Sequence, residues 1–250
     1  VQLQSYLDVT DRDEYPVSET RRTFDVDVQV RHYGLPRQEI TWGAGYRVSY
    51  ADLPTAPTSD LPEGTESLVS FFAQDEITLE PLSLTLGAKV ERNRYSGVEV
   101  QPSARAVLLL SPTTTLWAAT TRAVRRPSRV ERFYATVSVI DPDAPSFFRL
   151  VPNPDFESEK LWAYELGYRM RPHDRLYFTL AGFYDQWRDL LTAELLGDPF
   201  VEDDPPAPAR VIVPVAFGNG LDGRSAGIEV FVDARPLGRL RLAGHYAFLN

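Results

Sequence analysis

Residues 82–91 read Leu-Ser-Leu-Thr-Leu-Gly-Ala-Lys-Val-Glu, with an apolar side chain at every second position. Successive side chains of a β-strand point to opposite faces of a sheet, so this stretch predicts a strand with one apolar and one polar face. The same alternation recurs in residues 24–31, Phe-Asp-Val-Asp-Val-Gln-Val-Arg, and again in residues 40–50. The repetition predicts an all-β protein.

Turn signals divide the chain into about eleven such strands, and we expect almost no helix. The predicted strands are Val1–Thr10, Arg21–Tyr33, Glu39–Tyr50, Ser67–Leu79, Leu82–Glu91, Ser103–Leu110, Leu116–Ala123, Leu161–Met170, Leu176–Leu190, Ala226–Ala234 and Leu240–Leu249, with a possible extra strand or hairpin at Val211–Phe217.

The connections between these strands alternate between short and long. The short ones are the turns at Gly34–Arg37, Glu80-Pro81, Ser111–Thr114, Arg171–Asp174 and Arg235–Gly238. The longer ones are Asp11–Thr20, Ala51–Thr65, Arg92–Pro102, Val124–Lys160 and Leu191–Arg210. Tight turns at one end and large loops at the other are typical of the up-and-down meander of outer-membrane barrels.

A soluble β-sandwich also has strands with one apolar face, so that class stays open at this stage. Strand length favours the barrel, because several segments reach the 9–11 residues that a tilted transmembrane strand needs. The tryptophans at positions 42, 117, 162 and 187 lie towards strand ends, where barrels place aromatic girdles. The predicted fold is an antiparallel meander belonging to a large transmembrane β-barrel.

Composition excludes several classes of function. The net charge of -9 argues against a nucleic-acid partner, and the absence of cysteine removes thiolate chemistry. The longest apolar run, Ala106–Leu110, is far too short for a membrane-spanning helix. The three histidines have no metal-ligand spacing, and no catalytic motif is present, so we expect neither an enzyme nor a cofactor or metal site.

The motifs between residues 67 and 250 resemble, in order and spacing, the barrel of TonB-dependent outer-membrane receptors. The motifs that carry the resemblance are Phe72–Leu79 with its "QDE", Leu84–Tyr95, Gln101–Arg105, Leu116–Ser128, Glu157–Tyr168, Phe183–Leu190 and Gly223–Glu229. The family's barrel has about 22 strands, so the resemblance implies that residues 1–250 form about half of one. Neither the family's plug domain nor a signal peptide is visible in these residues.

The resemblance implies a receptor in the outer membrane of a Gram-negative bacterium that takes up a scarce ligand, most often a ferric siderophore. The implied partners are outer-membrane lipid, the plug domain, TonB through an N-terminal region, and the small ligand. Two alternatives remain at this stage, a passive porin-like barrel and a soluble β-sandwich binding domain.

Charged residues opposite the apolar stripes are candidates to face the barrel lumen, since an Arg or Lys facing lipid at mid-membrane would cost about 2–4 kcal/mol. They are Lys89, Glu91, Arg105, Glu165, Arg169 and Arg241; Arg122 and Arg126, from the stretch 122–128, join them as lumen- or plug-facing candidates. By the resemblance, Arg122 and Arg126 are the leading candidates to contact the plug, with simple solvation near the strand tops as the alternative.

Ligand contacts would come from the long loops, chiefly Val124–Lys160 and Leu191–Arg210. The first of these loops carries the candidates Arg129, Arg132, Phe133, Tyr134, Phe147, Phe148 and Arg149. Such a mixture suits an anionic aromatic iron chelate, and packing between loops would explain it equally well.

Overall fold

Backbone pairing joins most of the chain into one antiparallel wall of strands. The computed structural model describes residues 1–14, 17–52, 59–60, 63–141, 146–206 and 208–250. The one helix of the described residues is α1 (Arg129–Phe133). The strands are β1 (Gln2–Glu14), β2 (Val17–Leu35), β3 (Gln38–Asp52), β4 (Ser59–Asp60), β5 (Gly64–Leu79), β6 (Leu82–Asn93), β7 (Gly97–Ser111), β8 (Thr114–Arg125), β9 (Ala135–Asp141), β10 (Ser146–Leu150), β11 (Glu159–His173), β12 (Leu176–Leu195), β13 (Phe200–Glu202), β14 (Arg210–Leu237) and β15 (Leu240–Leu249).

The long strands follow one another in the sheet as they do in the sequence. Their order is β1-β2-β3-β5-β6-β7-β8-β11-β12-β14, and β15 pairs with the last of these. Every pairing in this wall is antiparallel, so the predicted meander is confirmed. Each of the eleven predicted strands, apart from Val1 at the start of the first, lies within one of these long strands.

The four short strands extend the same sheet at the long-loop end, and we call this extension the loop layer. Strand β10 pairs in parallel with the first residues of β14, β9 pairs with β10, and β4 pairs with β9. Strand β13 pairs with β14 on its other side. Because β4 belongs to the connection between β3 and β5, this loop layer links one part of the wall to a distant part.

Several predicted loops are shorter than the sequence suggested. Strands β1 and β2 continue through most of Asp11–Thr20, and β6 and β7 continue through Arg92–Pro102 until only residues 94–96 remain as a turn. Strand β14 includes Val211–Phe217. The extensions of β1 and β2 carry polar residues at nearly every position, which the period-two pattern cannot detect, while their backbone ladder continues to Glu14 and Val17. Parts of the predicted long connections, residues 15–16, 53–58, 61–62, 142–145 and 207, lie outside the described residues.

The wall exposes its apolar face and buries charged residues on its polar face, which is the reverse of the arrangement in a soluble protein. On the apolar face, Phe71, Leu86 and Ile228 expose 48%, 50% and 50% of their surface, whereas Asp25 and Glu91 on the polar face expose only 3% and 7%. Within the described residues, nothing from the chain covers the apolar face as a second sheet or helix layer. A soluble sandwich requires that layer, so the sandwich alternative is wrong.

The tryptophans divide between the two faces, so the prediction of a four-member aromatic girdle is partly wrong. Trp42 and Trp162 share register with the apolar stripe. Trp117 pairs with Gly167 on the polar face, where the ring occupies the space that a side chain at position 167 would fill. Trp187 also lies on the polar side, with its indole nitrogen 3.4 Å from the Ser225 hydroxyl.

The two faces of β6 should differ in their tolerance of charge. Leu84 pairs with Ile77 and Ala106 on the apolar face, whereas Thr85 lies between Glu76 and Arg105 on the polar face. We expect Leu84→Arg to cost about 2–4 kcal/mol of folded stability in a bilayer, and Thr85→Arg far less. Heat-modifiable migration of the folded protein in gels, after assembly into lipid vesicles, measures this difference. Equal assembly of the two variants would contradict a lipid-facing stripe.

Candidate functional site

The polar face encloses a hollow of about 1020 Å³ at the long-loop end of the wall, which we call the polar concavity. Side chains from β1, β2, β3, β5, β6, β7 and β8 all line it, so the sheet curves towards its polar side. Its lining includes Tyr6, Thr23, Arg47, Glu66, Lys89, Gln101 and Arg125. A smaller hollow of about 280 Å³ adjoins it and is lined by Asp25 and Asp27.

Ion pairs and hydrogen bonds hold the charges of the polar concavity. Arg47 Nε lies 2.6 Å from Asp25 Oδ2, at directly opposed positions of β2 and β3. Lys89 Nζ lies 2.6 Å from Glu91 Oε1, and Gln101 Nε2 donates to the other Glu91 oxygen at 3.1 Å. A buried carboxylate without such partners would be strongly destabilising, so these partners allow Asp25 and Glu91 to be buried.

The arginines after β8 complete one side of this hollow. Arg126 lines both the concavity and the adjoining hollow, near Lys89 and Glu91. Arg125 bridges two carboxylates, with Nη1 2.7 Å from Glu131 and Nε bonded to Glu159. Glu131 also forms the capping box of α1 with Ser128. The start of the helix, the end of β8 and the start of β11 are therefore tied together.

The other candidates for the lumen lie further along the wall. Arg105 stacks over Trp117, with 5.4 Å between the guanidinium carbon and the ring centre. Glu165 and Arg169 share its face by register. Arg241 forms a two-pronged pair with Asp233 at 2.7–3.2 Å.

Arg122 has a different position from the other candidates. Its register partner is Trp162, on the side of the apolar stripe. Strands β7 and β8 stop pairing above Ser103 and Thr121, and the Arg122 guanidinium enters the gap. There it donates to the Val100 carbonyl and lies 3.3 Å from Glu99. Arg122 thus bridges the two separated strand ends, whereas Arg126 lines the concavity.

The predicted ligand residues form two clusters. In the first, around α1, Arg132 donates to the Tyr95 carbonyl and lies over the rings of Tyr95 and Phe133, at 5.6 and 5.9 Å. The neighbouring Arg129 is buried, 3.8 Å from Glu66. Burial, followed by the nearby charge of Glu66, raises the pKa of Tyr95 to about 12.

The second cluster lies in the loop layer. Arg149 on β10 and Arg210 on β14 both contact Glu202 on β13 at 2.6 Å. Arg210 also lies over Phe147, and Arg149 over Phe200. In both clusters the basic and aromatic side chains have partners within the chain, as packing between loops predicts. Tyr134 caps α1 with its backbone N–H, and Phe148 exposes 43% of its surface.

Sequence reasoning did not nominate several residues of these sites. Asp25 and Arg47 were placed on a polar face but not paired, because cross-strand register is not visible in one sequence. Tyr95 and Glu202 come from predicted loops or turns, and pairings between loops leave no periodic signal. The part of the chain that the structure describes contains no group of three or more acidic or histidine side chains arranged to hold a metal. No helix in that same part is long and apolar enough to span a bilayer.

An outward apolar stripe, a charged concave face and an antiparallel meander together define the wall of a transmembrane β-barrel. Residues 2–250 match the family model described as "TonB dependent receptor-like, beta-barrel". The chain therefore belongs to the TonB-dependent receptor β-barrel family. Its members and the matched structures are transport receptors rather than enzymes, and the family implies an outer-membrane location.

Solved structures share the fold at low sequence identity. The siderophore receptor PirA from Pseudomonas aeruginosa superposes with a TM-score of 0.81 at 17% identity, over 99% of this chain and 46% of that one. A G324V mutant of the ferric enterobactin receptor PfeA from the same organism gives 0.75 at 19%, over 93% and 36%. The hemophore receptor HasR of Serratia marcescens gives 0.71 at 15%, over 94% and 42%. The chain thus spans less than half of each structure. A comparison with curated protein sequences found no match.

The Glu202 cluster should loosen in acid. Hydrogen bonds from Arg149, then from Arg210, lower the pKa of Glu202, so the stabilisation is full above the unfolded-state pKa and is lost as pH falls through the lower folded-state value. We expect amides of β10 and β13 to lose hydrogen-exchange protection, corrected for intrinsic rates, between neutral pH and about pH 3. Glu202→Gln should remove that dependence, and Asp203→Asn should retain it. An unchanged profile in Glu202→Gln would contradict the assignment.

Proposed function

We propose that this chain forms part of an outer-membrane receptor that uses TonB-coupled energy to import a scarce ligand, and that the ligand is a ferric siderophore. The observation that carries the proposal is the combination found on one wall: an apolar exterior, a charged concavity, and a folded loop layer at one end. A plug domain in the concavity and TonB acting on it are part of the proposal.

The polar concavity supports the presence of a plug. Its charged groups are held by a pair across two strands, Arg47 with Asp25, and by a pair along one strand, Lys89 with Glu91, and Arg47, Lys89 and Glu91 line the enclosed space. A polar protein domain seated there would pair with these charged groups, as interfaces rich in ion pairs and hydrogen bonds do. Arg126, at the rim of this space, is well placed to join such a contact.

The cluster around α1 and the cluster in the loop layer support ligand binding at the same end of the barrel. Arginines lie over aromatic rings in both clusters, and this pairing suits a ligand that is both anionic and aromatic. The titles of two matched structures name a siderophore receptor and a ferric enterobactin receptor. These two titles support a ferric siderophore as the proposed substrate class, and a third describes a hemophore receptor in complex with its hemophore and heme.

Transport of iron by the native protein tests the proposal. A strain lacking the gene should fail to accumulate radiolabelled iron from one of a panel of ferric siderophores, and the gene on a plasmid should restore saturable uptake. Deletion of tonB or dissipation of the proton gradient should abolish that uptake. Uptake that is not saturable and persists without TonB would instead indicate a passive channel.

Weakening the wall of the concavity should loosen the proposed plug. Lys89→Glu places a third acid beside Glu91 and Glu99, so we expect increased entry of a large antibiotic such as vancomycin, measured as increased killing of cells expressing the variant. Arg92→Glu, on the same strand but in register with the apolar stripe, is the matched control and should leave killing unchanged. Equal sensitivity of the two variants would argue against a plug held by this face.

A further inference from the structure

The outward face of β11, β12 and β14 carries two adjoining hollows of opposite character. The lower one is an apolar groove of about 530 Å³, and its sides are Tyr164, Leu166, Leu180, Tyr184 and Ile228. The upper one has a volume of about 700 Å³ and is polar, with Lys160, Gln186, Arg188 and Arg224 among its lining residues. Neither hollow shares a lining residue with the polar concavity, and Lys160, Gln186, Arg188 and Arg224 hold outward register positions.

Gly182 creates the apolar groove. It lies directly between Leu166 and Ile228 in the apolar stripe, where its neighbours project large side chains. A Cβ atom built on Gly182 would meet nothing closer than the Gly227 carbonyl oxygen, at 3.8 Å. The missing side chain therefore leaves an open slot in a surface that is otherwise continuous.

Register places the polar hollow above the groove on the same strands. Gly182, Tyr184 and Gln186 are successive outward positions of β12, so the two hollows are about 13 Å apart along the strand. A row of aromatic rings lies between them, with centres 6.4 Å apart for Trp162 and Tyr164 and 6.3 Å for Tyr164 and Tyr184. Tyrosine and tryptophan in such a row are typical of the boundary between hydrocarbon and headgroups.

The polar hollow presents two available cations. Its acids are engaged locally, since Asp189 pairs with Lys160 at 2.6 Å and Asp222 accepts a hydrogen bond from the Asp189 N–H at 3.1 Å. Arg188 and Arg224 are exposed, and neither makes a hydrogen bond or an ion pair with the residues that the structure describes. Guanidinium groups bind phosphate with two parallel hydrogen bonds, so this pair suits a phosphate group.

We propose that the two hollows form one binding site for a phosphate-bearing anionic membrane lipid. One acyl chain lies in the groove over Gly182, the phosphate lies between Arg188 and Arg224, and the glycerol or sugar lies beside the aromatic row. Charge complementarity and a separation of about 13 Å, given by the rise of a strand over four residues, select an amphiphile over a soluble ligand or a protein. The inference rests on the proposed membrane location and does not depend on the identity of the transported ligand.

Native mass spectrometry of the full-length protein, released from detergent micelles, tests the site with dimyristoyl phosphatidate as the probe. We expect one tightly retained lipid per barrel, and a roughly tenfold or greater loss of apparent affinity in the Arg188→Gln, Arg224→Gln double variant, as removal of two cations near a phosphate predicts. Dimyristoyl phosphatidylcholine and inorganic phosphate, which lack the net charge and the acyl chains respectively, should each compete poorly.

Matched glycine variants test the groove. Gly182→Phe fills the slot and should reduce retention of the lipid, whereas Gly244→Phe, on β15 in the same outward register with open space around it, should leave retention unchanged. Similar retention in wild type, the double arginine variant and Gly182→Phe would overturn the proposal, as would equal losses from the two glycine variants.

The two proposals can fail separately. Heat-modifiable migration of each variant in gels reports whether the barrel is assembled. A wild-type protein that does not assemble in lipid would contradict the membrane location itself. An assembled wild type that retains phosphatidate no better than phosphatidylcholine would contradict the lipid site alone.

Discussion

Hydrocarbon offers no hydrogen bonds, and this constraint organises the whole wall. Every backbone N–H and C=O group of a membrane-spanning segment must find its partner in the protein, so the strands pair continuously and in simple antiparallel order. The same solvent accepts apolar side chains at no cost. The stripe containing Leu86 and Ile228 can therefore remain uncovered, and the chain needs no second layer to form a core.

Because the apolar side faces outward, the polar side must satisfy its own charges. Asp25 and Glu91 are nearly as buried as core residues of a soluble protein, and each is paired across or along a strand. Small residues take part in this arrangement: Gly43 and Gly45 lie where Phe72 and Asp27 leave no room for a Cβ atom. The shape of the concavity thus follows from side-chain size as well as from charge.

The sequence predicted the wall well and the sites incompletely, for one physical reason. Alternation such as that of residues 82–91 reports the face of each side chain, so the strands and the charged positions Lys89 and Glu91 could be placed in advance. Register and loop packing depend on which segments meet, and a single sequence does not encode that in any local period. Arg122 shows the consequence: its charge suggested the lumen, but the separation of β7 from β8 gives it backbone and Glu99 partners in the gap.

The loop layer buries apolar residues, whereas the wall beneath it exposes them. Its buried apolar residues Phe156 and Ile212 expose 1% and 0% of their surface, whereas apolar residues of the stripe are commonly half exposed. Water, and not hydrocarbon, surrounds this end, so ordinary hydrophobic burial holds β9, β10 and the first part of β14 together. The change from exposed to buried apolar residues occurs near Gln186 and Arg224, where the outward-facing residues change from apolar to polar. One continuous strand, β14, crosses that boundary. The membrane surface therefore lies at the point along β14 where buried apolar residues give way to exposed ones.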